Sequence, residues 1–420
     1  MQTNTGTDVL ERFFRYVQVN TESSDEHADR VPSTPCQFDL ANLLADELRE
    51  LGARDVSVSD HAYVTAHIPA SSGAEDAPRL GLIAHLDTTE AAPGAGVRPH
   101  IVSYAGGDLV CGEVDGRPVS ISPEKEPALD ELVGEDLVCT DGTTLLGADD
   151  KAGVAEIMSL VALLAADPSI PHPPLGICFC PDEEIGHGAA LLDLEAFGAD
   201  FGYTIDGGPL GEFCYETFNA AEAELTAHGV SVHTGTAKGK MVNASEAIMR
   251  FHQLLPAAER PEFTEGYDGF FYLERMEGSC EEASAAYIIR DHDQAQVERR
   301  KDLMRAAAAL VNAQMGEGTL ELAIHDQYHN LADVVCRPEN AHLIDNARAA
   351  YAACGVEMTC VPMRGGTDGS QLSFRGFPCA NLSAGYYNAH GVREFVPVAE
   401  LERMVDVLQD LVGRYARPQA

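Results

Sequence analysis

Two histidines and several carboxylates stand where apolar segments end. His85 and Asp87 follow the apolar stretch 80–84 as HLD; Asp182, Glu183 and Glu184 follow ICFCP; Asp206 closes YTI and opens DGG. Asp149 and Asp150 lie in GADDKAG at the start of a predicted helix, and His390, in NAHG, follows the apolar segment 379–382 by several residues. Imidazoles with carboxylates, and no thiolate among them, suit zinc or a similar divalent ion and argue against a structural zinc knot. The set holds more ligands than one tetrahedral ion needs. One carboxylate bridging two ions would use them all, and such a pair can activate a water and stabilise the oxyanion of a cleaved amide. A glutamate left over beside the ligands would serve as general base. Each fragment alone has a plainer reading: a solvated acidic turn, an Asp-Gly-Gly turn, or acids complementing a helix dipole. Their joint placement at strand ends is what points to a metal site.

The elements that must position these residues alternate in period. Helical stripes come first, over 8–17 (Val9, Leu10, Phe13, Phe14, Val17) and 37–51 (Leu40, Leu43, Leu44, Leu48, Leu51). Strand-like stretches follow at 56–58, 64–68 and 80–84, then a helix over 149–164 and strands over 177–180 and 203–205. Strands alternating with helices predict an α/β domain with a mostly parallel sheet, whose carboxyl strand ends gather on one edge. From about residue 216 the style changes: an alternating segment at 223–227, a Gly/Lys-rich loop, a helix over 243–255, a strand pair around 283–291, a helix over 293–314 and a strand over 319–325. That order predicts a compact α+β insert at 216–332. The α/β style returns with helices at 340–353 and 398–415, so the larger domain is expected to be discontinuous, over 1–215 and 333–420.

Composition narrows the partners. The 420 residues carry 28 basic against 67 acidic side chains, a net charge of −39. A surface that acidic repels phosphate backbones, which excludes nucleic acid and anionic membrane as partners. No run approaches the roughly 18 apolar residues of a membrane span, and no cationic segment leads into an apolar run at the N-terminus. The eleven cysteines are odd in number and scattered, with no CxxC pair. Cys178 and Cys180, on a predicted strand, are expected to face opposite sides. Reduced thiols and a cytoplasmic location are the expectation.

At its chemical residues the chain resembles the peptidase T family, the tripeptide aminopeptidase branch of the two-zinc aminopeptidase/carboxypeptidase superfamily. HLDT at 85–88, TDGTTLLGADDKAG at 140–153, PDEE at 181–184, DGG at 206–208, GTAKG at 235–239, RGGTDG at 364–369 and His390 carry the resemblance, with EGYDGFFYLERMEGS and YIIRDHD in the insert. The resemblance implies that His85, Asp149 and Asp206 hold one zinc and that Asp149, Glu184 and His390 hold the other, Asp149 bridging. It implies Glu183 as general base and Asp87 as the residue that orients His85. The insert would be a lid and dimerisation domain of a homodimer, with His233 reaching a neighbouring active site; Thr234 stands where relatives usually carry proline. Arg290 and Arg364 look like ligands for the peptide's carboxylate or backbone.

The activity so implied is release of the N-terminal residue from short peptides, chiefly tripeptides. A sister dipeptidase, carboxypeptidase or N-acylamino-acid deacylase would use the same metals, but the GTAKG, RGGTDG and YIIRDHD contexts argue against it. A non-catalytic protein that binds divalent cations would require the whole set, with Glu183 and His233, to be accidental.

Overall fold

The computed structural model describes residues 6–416. The chain divides into two compact units, one of Met1–Tyr215, Val334–Val361 and Thr367–Ala420, the other of Glu216–Asp333 and Pro362–Gly366. The short segment with Arg364 therefore belongs to the second unit.

The first unit is built on an eight-stranded sheet. Its centre is Leu175–Cys180, Leu80–His85, Phe201–Gly207 and Cys379–Ser383, side by side and parallel. Leu80–His85 and Leu175–Cys180 are buried at every position, as parallel strands covered on both faces must be. The flanks are mixed. Val64–Ile68 and then Arg54–Val58 add antiparallel on one side, while Glu212–Cys214 runs antiparallel to Cys379–Ser383 on the other, with Thr359–Cys360 parallel beyond it. The parallel sheet expected from the sequence is thus the central part of a mixed one. Two further small sheets, Val396–Pro397 with Asp136–Cys139 and His100–Ser103, and the hairpin Leu109–Val114/Arg117–Ile121, fall where the sequence offered no clear period.

The helix Ala148–Ala166 is apolar nearly all round and correspondingly buried. It packs between the sheet and the helices Gly6–Val17 and Val398–Tyr415. All eleven cysteines are free, but the expectation that Cys178 and Cys180 face opposite sides is overturned. Residues two apart on a strand share a face, and their sulfurs lie 3.7 Å apart in the cluster that contains Ile83, Phe197 and Cys379.

The second unit is a four-stranded antiparallel sheet in the order Phe270–Gly278, Glu282–Asp291, Asn219–His228, Leu320–Tyr328. The helices Ala244–Leu254 and Gln294–Met315 cover it, burying Ile248, Phe251, Val297, Met304 and Val311 against Leu225, Tyr287 and Ile289. The strand pair lies earlier than the sequence suggested, because Phe270–Gly278 is largely exposed and shows little apolar alternation. Among the described residues no helix is long and apolar enough to cross a membrane.

One contact in the first unit ties fold to site. At Gly153, near the start of Ala148–Ala166, an added Cβ would fall 1.9 Å from the carbonyl oxygen of Ile205 and 2.5 Å from Asp150 Oδ1. Helix and strand touch backbone to backbone there, and the carbonyl of Ile205 cannot step aside as a side-chain tip would. Gly153→Ala is expected to cost about 1–3 kcal/mol, read as a lower urea midpoint by circular dichroism; an unchanged midpoint contradicts this packing.

Candidate metal centre

Each side chain of the site arrives by a different element. His85 ends Leu80–His85 and Asp206 lies near the end of Phe201–Gly207. Glu183 and Glu184 form a short turn just past Leu175–Cys180, and Asp149 sits in the first turn of Ala148–Ala166. Parallel strands point their carboxyl ends to one edge, so residues far apart in sequence meet there. His390 comes from the loop after Cys379–Ser383.

The centre of the geometry is Asp149. His85 Nε2 lies 2.9 Å from Asp149 Oδ1 and 3.5 Å from Asp206 Oδ1. His390 Nε2 lies 3.1 Å from Asp149 Oδ2 and 3.0 Å from Glu184 Oε2. One carboxylate therefore turns an oxygen toward each of two nitrogen–oxygen sets. Asp87, fully buried, accepts the backbone N–H groups of Glu183 (3.0 Å) and Glu184 (3.3 Å), and its Oδ1 stands 3.4 Å from His85 Nδ1. Glu184 gives its second oxygen to the N–H of Thr89 at 3.2 Å.

Asp150 also lies within ligand range. Ligand atoms of His85, Asp150 and Asp206 fall within 4.8 Å of one another, as do those of His85, Asp149 and Glu184. Asp150 Oδ2, however, accepts the N–H of His85 (3.1 Å) and Oδ1 that of Gly153 (3.2 Å). Asp149 faces two imidazoles instead, so its charge is the one left for a cation.

The electrostatics suit a site built for cations. Burial opposes a charge on His85, yet Asp206, Asp149 and Asp87 outweigh it and hold its pKa well above the ordinary imidazole value. Hydrogen bonds to Asp149 and Glu184 push His390 up to about 11. Burial would raise Asp149, but His390 and His85 keep it below the usual carboxylate range. Asp206 is pushed up to about 7, chiefly by burial. Burial and then Asp206 push Glu183 well above the carboxylate range. Without a metal, protons on the imidazoles neutralise the acids. The two donor sets, oxygen and imidazole nitrogen around one shared acid, fit a pair of divalent ions.

Two acids hold the frame through partners that the sequence does not announce. Asp182, within the acidic triplet, turns inward and accepts Ser33 N (2.6 Å), Ser33 Oγ (2.6 Å) and Gln37 Nε2 (2.5 Å). Glu394, in a segment to which the sequence assigns no element, is buried against the turn before Asp149. Their partners lie far along the chain, which no local pattern announces.

The remaining expected residues lie in the second unit. His233 is exposed, and its Nδ1 accepts the N–H of Gly235 at 3.2 Å. Arg290 donates to the carbonyls of Ala221 (3.2 Å) and Ile289 (3.0 Å) and to Gln327 Oε1 (3.0 Å), with its guanidinium over the Tyr328 ring. Arg364 donates to the carbonyls of Gly266 (2.8 Å) and Asp268 (2.7 Å) and to Thr264 Oγ1 (2.9 Å), stacked on Phe218 and Phe270. Both arginines line a cavity of about 410 Å³ with Tyr272 and Tyr328. Arg364 spends its donors on the 264–268 loop.

The raised imidazole pKa values have a measurable consequence. His85 and His390 carry protons near neutral pH in the metal-free site and must shed them to coordinate. Titrating zinc into stripped protein should release protons, so that calorimetric heats scale with the ionisation enthalpy of the buffer. Heats independent of the buffer contradict this.

Comparison with known proteins agrees with the geometry. The family model described as a peptidase dimerisation domain matches residues 215–319. Peptidase T of Bacillus velezensis is 46% identical over 405 residues, covering 96% of this chain and 97% of its own. Peptidase T of Vibrio parahaemolyticus is 47% identical over 401 residues, covering 95% and 96%. Among solved structures, aminopeptidase PepT from Bacillus cereus matches with a TM-score of 0.75 at 22% identity, covering 98% of each chain. A dinuclear metal-binding peptidase from Bacillus subtilis matches at 0.64 and 14% identity, covering 98% of each chain. These two speak to the fold; the identity to the curated relatives over nearly the whole length speaks to more, and by it the chain belongs to the peptidase T family and is a peptidase.

Proposed function

We propose that the protein is a two-zinc aminopeptidase that removes the N-terminal residue from tripeptides. The observation that carries this reading is the divided carboxylate of Asp149, one oxygen toward His85 and Asp206, the other toward His390 and Glu184. His85, Asp149 and Asp206 would hold one zinc; Asp149, Glu184 and His390 would hold the other. Bound there, the ions would supply Lewis acidity, polarising the scissile carbonyl and making water acidic enough to lose a proton near neutral pH.

The chain's own residues do the rest. Glu183 stands beside Glu184 but belongs to neither ligand set. As general base it takes a proton from the attacking water and hands it to the leaving amine. Its buried, acid-crowded setting favours the protonated form it needs for the second step. Asp87 holds the Nδ1 side of His85, fixing which nitrogen faces the metal, and through two N–H bonds fixes the turn that carries Glu183 and Glu184. His233, whose Nδ1 is engaged by its own loop, keeps Nε2 for the substrate oxyanion. Arg290 would pair with the carboxylate of a three-residue peptide, and Arg364 would shape the wall beside it. The dimerisation-domain match supports a homodimer. The free cysteines support a reducing cytoplasm.

Hydrolysis of Ala-Ala-Ala beside its N-acetylated and four-residue versions tests the reading. Alanine and a dipeptide should appear from the free tripeptide alone, and stop with a chelator. Cleavage of the blocked peptide would place the protein among deacylases or carboxypeptidases instead. Glu183→Gln should lower kcat by roughly 10²–10⁴-fold while both metals stay bound; near-native turnover would remove Glu183 from the mechanism. Arg290→Ala should raise KM for the tripeptide, and an unchanged KM would contradict its role.

A further inference from the structure

His390 sits on a strap tied at a few points, among them Arg393 Nε to the carbonyl of Ser120 (3.0 Å) and the N–H of Glu394 to the carbonyl of Gly391 (3.2 Å). Asn388 and His390 both adopt positive φ (54° and 66°), an uncommon conformation for residues with a side chain. Asn388 and His390 are exposed. The strap is closed at its ends, where Tyr387 and Phe395 exchange backbone hydrogen bonds of 3.0 and 3.1 Å and stack their rings 4.8 Å apart. Between these ends, one side chain turns inward.

That side chain is Glu394, 2% exposed. Its Oε2 accepts the N–H groups of Leu146 (2.9 Å) and Gly147 (2.7 Å), and its Oε1 accepts that of Asp149 (3.0 Å). The turn it grips departs from helical geometry. The donors stand at the start of Ala148–Ala166, where N–H groups have no intrahelical partner, and Gly147 at φ 75° with Asp149 and Asp150 at ψ 103° and 33° takes the turn further from helical geometry. Leu146, Ala148 and Asp150 are buried, where an unpaired N–H is costly. Three N–H groups converge on this one carboxylate, which makes it the common anchor of the turn.

We propose that Glu394 is a positioning residue for the metal pair, fixing the separation of Asp149 and His390. It belongs to the strap that carries the histidine and grips the turn that carries the aspartate. Both of its oxygens are taken by backbone N–H groups, so it acts through Asp149. A site in which one ligand rides on an exposed strap needs such a tie, because an ion shared between Asp149 and His390 tolerates little drift in their spacing. The inference rests on the two-metal reading above.

The test is E394Q, with zinc affinity measured by competition against a chromophoric chelator and with the visible spectrum of the cobalt-loaded protein as a second readout. The amide keeps the length but turns an NH₂ toward backbone N–H groups. The expected result is two ions bound by the unmodified protein, a loss of roughly 10–100-fold in affinity for E394Q, and an altered cobalt spectrum. Native affinity and spectrum in E394Q, with only a lower melting temperature, would overturn the inference and leave the two-metal reading intact. Fewer than two ions in the unmodified protein would overturn both. Should E394Q fail to fold, E394D keeps the charge but is too short to reach both groups of donors. It should also lose affinity, and native affinity there would likewise overturn the proposal.

Discussion

Carboxylates crowded into a dry pocket repel one another, and the first unit is organised around relieving that repulsion. Most of the acids are relieved by the backbone. Asp87 takes the N–H groups of Glu183 and Glu184, Asp150 those of His85 and Gly153, and Glu394 those of the turn before Asp149. Asp182 takes Ser33 and Gln37. These acids build the frame. The charge left without such partners belongs chiefly to Asp149 and Asp206, faced by imidazole, and to one oxygen of Glu184. A cluster divided in this way, into acids that hold the backbone and acids faced by imidazole, is what a cation site requires before its cation arrives.

The sheet makes the crowding possible. Central strands that are buried along nearly their whole length stay inside, so the ligating residues at their ends emerge together at the carboxyl edge. The helix Ala148–Ala166 brings Asp149 to that edge, and Gly153 lets it lie against Phe201–Gly207 without a side chain between. Lys151 is buried with its Nζ donating to the carbonyl of Val19 at 2.8 Å. Its pKa is lowered to about 8 by burial.

Much of this was legible in the sequence because it is written locally. An apolar run that ends in HLD, in PDEE or in DGG says both that a strand stops and that an acid stands at its end. The structure brings His85, Asp149, Glu184, Asp206 and His390 into direct contact. What could not be read depends on distant partners. The antiparallel flanks follow from which strand lies next to which. Glu394 reads as one more acid in an acidic chain until its three donors, some 245 residues earlier, are in view. Arg364 sits in a motif of the larger domain's sequence, yet its segment packs with the second unit, where it grips 264–268. The error over Cys178 and Cys180 was one of strand period, and their shared cluster corrects it.

The claim on which the rest depends is that one carboxylate, that of Asp149, is shared between two ions. Anomalous diffraction from crystals of the zinc-loaded protein, recorded at the zinc edge, tests it most directly. Two peaks with Asp149 between them are predicted, one beside His85 and Asp206 and the other beside Glu184 and His390. A single peak, or two peaks bridged by Asp150, would contradict the account.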